Sequence, residues 1–281
     1  MENPVLTDLG NTPVLIGAQG ATGSLIARAW ERVGQPFLTV SSRPGGVLTW
    51  SGETPPPAFP AARGQGVIVL AGAVPGRGRP LSDNARLARA GCDAARIWGA
   101  AWVFVASSSA VYGPTGPDPV TEDTAPQGAS DYARAKLEAE RASAGPAITA
   151  LRLANVAGAS QPFLALDAGG TLTLDRFADG TGPSRSYIGP ASLARVLAAL
   201  CARARAGAAL PPVQNVANPA PVTMEAIAQA AGRAVTWRTA PADAIHHVHL
   251  DCTRLGAICP LPPHDAAGFW TEIRELTKAP R

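Results

Sequence analysis

Tyr132 and Lys136 stand four positions apart in the stretch Asp131-Tyr-Ala-Arg-Ala-Lys136, whose pattern is helical. Residues at i and i+4 lie on one helical face, so the phenol and the ammonium point the same way. Upstream, the apolar run 102–106 reads as a strand that ends in three hydroxyls, Ser107, Ser108 and Ser109. A hydroxyl at a strand end, facing a tyrosine whose acidity a lysine raises, is apparatus for moving a proton on or off an alcohol or carbonyl oxygen. Such a transfer needs a hydride acceptor or donor beside it. Composition supports a chemical role for this lysine: of 24 basic residues only Lys136 and Lys278 are lysines. Arginine is a fixed cation, whereas the charge of a lysine can be tuned. The three tyrosines, Tyr112, Tyr132 and Tyr187, each fall inside a motif.

The hydride partner is legible near the N-terminus. A short apolar run, 13–16, meets Gly17-Ala18-Gln19-Gly20-Ala21-Thr22-Gly23, and a helical pattern closed by Gly34 follows. Strand, G-x-x-G-x-x-G and helix make a dinucleotide-binding turn. Its glycines let the backbone approach a pyrophosphate at the helix N-terminus, where free N–H groups and the dipole favour anions. The next strand, 37–40, ends in Ser41-Ser42-Arg43. An NAD enzyme carries Asp or Glu here for the ribose 2′-hydroxyl, while an arginine accommodates the NADP 2′-phosphate. The only acidic residue between Gly23 and Arg43 is Glu31, in mid-helix. The expected cofactor is therefore NADP, with NAD as the alternative, and Arg43 with Ser41 or Ser42 at the phosphate.

The alternation then continues. A strand at 67–70 ends in Ala71-Gly72-Ala73, small residues that let a cofactor lie against the backbone. A helix over 82–98 carries Asn84, and further strands are expected at 102–107 and 147–153. Near-continuous apolar strands alternating with helices predict a parallel sheet covered on both faces. The fold class is thus α/β, a Rossmann-type doubly wound parallel sheet with a small α/β C-terminal substrate lobe. Residues 1–155 are assigned to the dinucleotide-binding domain and 156–281 mainly to the substrate lobe, with one or more later strands returning to the sheet. In that part the pattern predicts a helix over 191–206, a strand at 213–217, and a helix capped by Thr223 and ended by Gly232. A short strand at 235–237 and a last helix at 267–278 follow; 44–66 yields only a brief strand near 47–50, and 159–184 no assignment.

Composition excludes several classes. No apolar run approaches the length of a transmembrane helix. The opening Met-Glu-Asn-Pro has no signal-peptide character, and four scattered cysteines without a C-x-x-C pair fit reduced thiols in a cytoplasm. A net charge of +3 with dispersed basic residues gives no footprint for nucleic acid. His246, His247 and His249 cluster, but no carboxylate or cysteine stands at ligand spacing beside them, so no metal is expected. Trp50 reads as a core or surface tryptophan rather than one beside an adenine, and Arg152 as a packed, hydrogen-bonded structural arginine rather than a ligand residue.

Taken together, Gly17/Gly20/Gly23, Asn84, Ser107-Ser108-Ser109-Ala110-Val111-Tyr112-Gly113, Tyr132/Lys136, Arg152 with Asn155, Arg185-Ser186-Tyr187-Ile188 and Asn215 resemble the extended short-chain dehydrogenase/reductase family. That group contains nucleotide-sugar epimerases, dehydratases and reductases. The resemblance implies Ser108 as the catalytic hydroxyl, Tyr132 as general acid/base, and Lys136 as the holder of the nicotinamide ribose hydroxyls that, with the positive nicotinamide ring, depresses the Tyr132 pKa. It implies cofactor contacts at Gln19, Ala21, Thr22 and Ser107, and substrate contacts at Ser109, Tyr112, Asn155 and Arg185, the last on a phosphate. A cytoplasmic homodimer joined through the helices of Asn84 and Tyr132 is also implied.

Departures from the family pattern narrow the reaction. Dehydratases of the family carry Thr-Asp-Glu where this chain has Ser108-Ser109-Ala110, which argues against water elimination. The usual Asp near the helix start after Arg185 is replaced by Ser192, and the 153–185 stretch is short for gripping a nucleotide diphosphate. The expected function is an NAD(P)-dependent oxidoreductase acting on a keto or hydroxy carbon of a sugar or nucleotide-sugar-like small molecule, reductase favoured. The alternatives are a nucleotide-sugar epimerase with bound NAD and a non-catalytic NADP-binding regulator.

Overall fold

The computed structural model describes residues 10–278. β1 (Val14–Ile16) leads through the glycine turn into α1 (Ala21–Val33), followed by β2 (Leu38–Ser41) and the brief β3 (Leu48–Thr49). After a 3-10 turn at Pro60–Ala62 come β4 (Gly66–Val69), α2 (Asp83–Trp98) and β5 (Trp102–Ser108). A second 3-10 turn, Ser109–Tyr112, precedes α3 (Asp131–Ser143), β6 (Ile148–Leu153) and β7 (Asn155–Val156). The segment that resisted assignment holds α4 (Phe163–Asp167) and β8 (Leu172–Arg176). Then follow β9 (Ser184–Arg185), β10 (Tyr187–Ile188), α5 (Pro190–Arg205) and β11 (Val213–Val216). The chain continues through β12 (Val222–Thr223), α6 (Met224–Ala230), β13 (Val235–Thr239), β14 (His247–Val248), α7 (Thr253–Ile258) and α8 (Ala266–Thr277).

Seven strands form one parallel sheet in the order β11-β6-β5-β4-β1-β2-β3. Its strands are apolar at consecutive positions because both faces are covered, and alternate side chains go to opposite layers. Leu15, Ile68, Phe104 and Leu151 pack with Trp30 of α1 and Leu193 and Leu197 of α5. Val14, Val67, Val69, Val103 and Val105 pack with Ala88, Ala94 and Trp98 of α2 and Ala139 of α3. Trp30 locks the first layer by donating its indole N–H to the Ala194 carbonyl at 2.9 Å. Trp50 and Phe59 meet Trp98 edge-on, so the Gly/Pro-rich stretch 44–66 is pinned by aromatics despite having almost no regular structure.

The remaining strands are short and build a lobe beyond the strand ends: β8 with β13, β7 with β10, and β9 between β12 and β14. Phe163, Tyr187, Ile227, Phe269 and Trp270 form its core. The carboxylate missing from the start of α5 is supplied from elsewhere. Glu272 of α8 accepts from the N–H groups of Ala191 and Ser192 at 2.8 and 3.3 Å and from the Ser192 hydroxyl at 2.7 Å. A Cβ at Gly189 would sit 2.2 Å from Glu272 Oε2, so only glycine lets this carboxylate in.

One buried ion pair lies directly behind the end of β5. Arg152 of β6 donates through Nε and Nη2 to the two oxygens of Glu140 on α3, at 3.1 and 3.0 Å. Ser107 also donates to Glu140, and the Arg152 guanidinium lies 4.7 Å from the centroid of the Tyr112 ring. Removing one member strands the other charge in the interior. Glu140→Leu is expected to lower stability by about 3–5 kcal/mol, while the double variant Glu140→Leu/Arg152→Leu recovers most of that loss. Urea unfolding of the two variants checks it.

Candidate active site

The first half of the site is a cleft of about 390 Å³ at the carboxyl ends of β1, β2 and β4. Gly17, Gln19, Gly20, Ser41, Ser42, Arg43, Ala71 and Gly72 all line it, so the expected cofactor residues converge. Its glycines are required by space. Gly17 has φ +91°, and a Cβ there would meet the Ala71 backbone nitrogen at 2.7 Å; one at Gly23 would meet the Gly17 oxygen at 2.3 Å. Gly20 is the N-cap of α1 and makes no side-chain cap, and the first turn holds no acidic residue. The N–H groups of Ala21, Thr22 and Gly23 therefore belong to an uncapped helix N-terminus, which suits a phosphate. The residues present fit a dinucleotide.

The far rim carries positive charge. Arg43 donates from Nε to Gln19 Oε1 at 3.3 Å, and the Gln19 amide donates to the Pro44 carbonyl at 2.9 Å. This ties the β2 loop to the glycine turn. Ser41 Oγ is buried with no hydrogen-bond partner among the described residues. Arg79 lines the cleft as well, and no lining residue is acidic. Trp50 is buried and also contributes to the wall, a place by the cofactor cleft that the sequence reading had not favoured. Arg79, Ser51 and Gly52 were not singled out in the sequence, because nothing in their spacing ties them to the glycine turn.

The cleft ends at Gly72, where the second half begins. A Cβ at Gly72 would lie 2.7 Å from Asn84 Oδ1 and 3.4 Å from Lys136 Nζ. Asn84 is held there by a reciprocal pair: the Ala73 N–H donates to its Oδ1 at 3.1 Å, and its Nδ2 donates to the Ala73 carbonyl at 3.0 Å. Lys136 donates to the Ala106 carbonyl at 3.0 Å, and its Nζ lies 5.9 Å from the Tyr132 ring centroid. Ser108 Oγ accepts from the Ala110 N–H at 3.2 Å and engages the Tyr132 phenol. Ser108 thus stands by Tyr132, and Lys136, on the same helical face as Tyr132, reaches the end of the cleft at Gly72.

The electrostatics differ from expectation. Burial raises the Tyr132 pKa, and the hydrogen bond from Ser108 only partly opposes this. Lys136 is itself desolvated: burial pushes its ammonium down to about 8, with Glu140 opposing. A carboxylate four positions after Lys136 is a signal that the sequence offered and that sequence reasoning passed over.

Several other expected contacts are turned elsewhere. Ser107 points its hydroxyl at Glu140 rather than at the cleft. Tyr112 is 2% exposed and donates its hydroxyl to Asn215 Oδ1 at 2.8 Å, so it props the strand end from behind. Ser109 is buried beside it. Arg185 gives three N–H bonds to the carbonyls of Ser184, Ile245 and His246, at 2.7–2.8 Å, which leaves it folded against its own lobe. Asn155 stands opposite the buried Tyr187 in the β7–β10 pairing.

The titration of Lys136 has a measurable sign. Its folded-state pKa of about 8 lies below the ordinary 10.5, so between these values the unfolded chain holds more protons. Stability contributed at this position rises with pH across that window, and below it the folded chain bears the full cost of burying the charge. Lys136→Met is expected to be the more stable protein near neutral pH, with a gap on the order of 3 kcal/mol that closes toward pH ~10.5. Paired urea titrations across that range read the gap.

No curated protein matches the sequence. Among solved structures, MoeE5 in complex with UDP-glucose and NAD is similar with a TM-score of 0.71 and 22% identity, covering 95% of this chain and 98% of the other. The UDP-glucose 4-epimerase of Thermus thermophilus in complex with NAD has a TM-score of 0.70 and 20% identity, covering 95% and 99%. TunA, an NAD-dependent NDP-hexosamine 5,6-dehydratase, has a TM-score of 0.71 and 19% identity, covering 96% and 99%. Identities this low establish the fold, and because a dehydratase is among these structures, the likeness does not support excluding that reaction. The model of the NAD dependent epimerase/dehydratase family matches residues 14–166, more than half of the chain. The protein belongs to the NAD dependent epimerase/dehydratase family.

Proposed function

We propose that this protein is an NADP-preferring oxidoreductase that reduces a keto carbon, or oxidises the corresponding alcohol, of a sugar-like substrate. The observation that carries the reading is Lys136, grouped with Tyr132 and Ser108, standing beside Gly72 at the end of a cleft whose lining includes Arg43. The bound dinucleotide supplies the hydride donor or acceptor. Tyr132 exchanges a proton with the substrate oxygen, Ser108 hydrogen-bonds that oxygen, and Lys136 steadies the cofactor-proximal side. A phenol kept protonated by burial suits donation to a carbonyl oxygen, which supports the reductive direction. The cleft lining, with Arg43 and Arg79 and no carboxylate, supports NADP over NAD. Ser109 and Ala110 provide neither acid nor base for water elimination, which supports redox chemistry without dehydration.

A second reading is epimerisation with retained NAD. It uses the same three side chains twice, and structures named as epimerases bound to NAD are among the similar folds. A non-catalytic dinucleotide-binding regulator would have no use for the assembled Ser108, Tyr132 and Lys136.

Two measurements test the proposal. Titration by nicotinamide fluorescence is expected to show tighter binding of NADPH than of NADH, and Arg43→Ala weakens NADPH about thirtyfold with little effect on NADH, as for loss of one charged hydrogen bond. Co-purified, tightly held NAD with no NADPH preference would move epimerisation to first place. Tyr132→Phe is expected to bind cofactor normally while turnover falls roughly 10²–10⁴-fold.

A further inference from the structure

Arg79 is the charged residue of the cofactor cleft that no sequence motif carries. It stands in the loop between β4 and α2, beyond the Ala71-Gly72-Ala73 strand end, and lines the same cleft of about 390 Å³ as Arg43. The sheet order places β4 on one side of β1 and β2 on the other. Arg43 follows β2, so the cleft receives one guanidinium from each flank of the glycine turn.

The donors that remain at this end are the two arginines. Ser41 is 2% exposed and its hydroxyl oxygen has no accessible surface, so it cannot donate into the cleft. Arg43 gives Nε to Gln19 Oε1 at 3.3 Å, and its two terminal nitrogens have no acceptor among the described residues. Arg79 gives Nη1 to Asp83 Oδ2 at 3.3 Å, and its Nε and Nη2 have none. A guanidinium presents its N–H groups as a planar fork that fits two oxygens of one phosphate.

Arg79 is also loosely held. Asp83 accepts from Arg86 on its other oxygen, at 3.3 Å, so one carboxylate balances two cations. Arg86 is anchored further by the Gly52 carbonyl at 3.4 Å, whereas Arg79 has only the carboxylate. With side chains 41% and 25% exposed, the Arg79–Asp83 pair is a weak one that a dianion can outcompete. Residues 74–80 are exposed throughout, and a Cβ at Gly76 or Gly78 would meet no atom within 4 Å, so little packing fixes this loop. The cleft wall contributed by Trp50, Leu87 and Ala90 is apolar and suits a base. A dianion beside it is then one carried on the adenosine end of the dinucleotide.

We propose that Arg79 is a second ligand of the cofactor 2′-phosphate, approaching from the β4 side while Arg43 approaches from the β2 side, with Asp83 as its competitor. This deepens the NADP reading and rests on it.

The probes are 2′,5′-ADP and 5′-AMP, which share the adenosine and the 5′-phosphate and differ only in the 2′-phosphate. Binding of each to the full chain is read by calorimetry, without nicotinamide or substrate. Arg79→Ala is expected to weaken 2′,5′-ADP about tenfold and to leave 5′-AMP unchanged. Asp83→Asn releases Arg79 from its competitor and is expected to tighten 2′,5′-ADP about threefold. The double variant Arg79→Ala/Asp83→Asn is expected to keep the loss, because the guanidinium itself is missing. Recovery in the double variant would trace the loss to repulsion by a freed carboxylate and overturn the proposal. Equal losses for the two fragments would put Arg79 on the 5′-phosphate and overturn it as well, as would no loss for either. In each of those cases a wild-type preference for 2′,5′-ADP that Arg43→Ala reduces leaves the NADP reading standing. A wild type that does not distinguish the fragments removes that reading, and this proposal with it.

Discussion

The pair between Glu140 and Arg152 is the constraint on which the catalytic end depends. It lies behind β5, where a charge without a partner is costly, and it joins α3 to β6 across that strand. The candidate catalytic side chains hang from two of those elements. Tyr132 and Lys136 project from α3, Ser108 ends β5, and the Arg152 side chain supports the ring of Tyr112. Glu140 also orients Ser107 and opposes the desolvation of Lys136, so one carboxylate bears on strand, helix and charge at once. Such an arrangement favours specificity of geometry over raw stability, because the same space filled with apolar side chains would pack as well.

The cofactor cleft is organised by the opposite device, the removal of side chains. Gly17, Gly23 and Gly72 stand where any Cβ would collide with backbone or with Asn84. The result is exposed N–H groups at the start of α1 and a path along the strand ends toward Lys136. Positive charge then enters only at the rim, through Arg43 and Arg79. The fold thus separates bare backbone at the start of α1, which suits a pyrophosphate, from charged side chains at the edge.

The C-terminal lobe follows a third logic, in which groups from distant segments replace those missing locally. Glu272 reaches from α8 to cap α5 where the sequence has Ser192, and His264 lies 3.0 Å from the same carboxylate. Arg185 is folded onto carbonyls of the 245–246 segment, and imidazoles occupy the cleft wall beside it. Each substitution is reasonable only in three dimensions, since the partners are many tens of residues apart in the chain.

By itself the sequence determined what is local or periodic. The G-x-x-G-x-x-G turn between strand and helix, the apolar strands, the Thr223 cap and the i, i+4 pairing of Tyr132 with Lys136 follow from backbone geometry and the 3.6 and 2.0 periods, and each stands in the structure. The reading of Arg152 as a packed residue also follows from chemistry that a single position reveals. Tertiary structure decided the rest. The segments at 44–66 and 159–184 are held by aromatic contacts and by pairing between β8 and β13, neither of which leaves a period in the chain. It also turned Ser107, Tyr112 and Arg185 away from the expected ligands, because a nearer partner was buried beside each. Whether Tyr132 is made more or less acidic depends on how much water reaches it. Burial is a property of the whole fold, and no motif spacing encodes it.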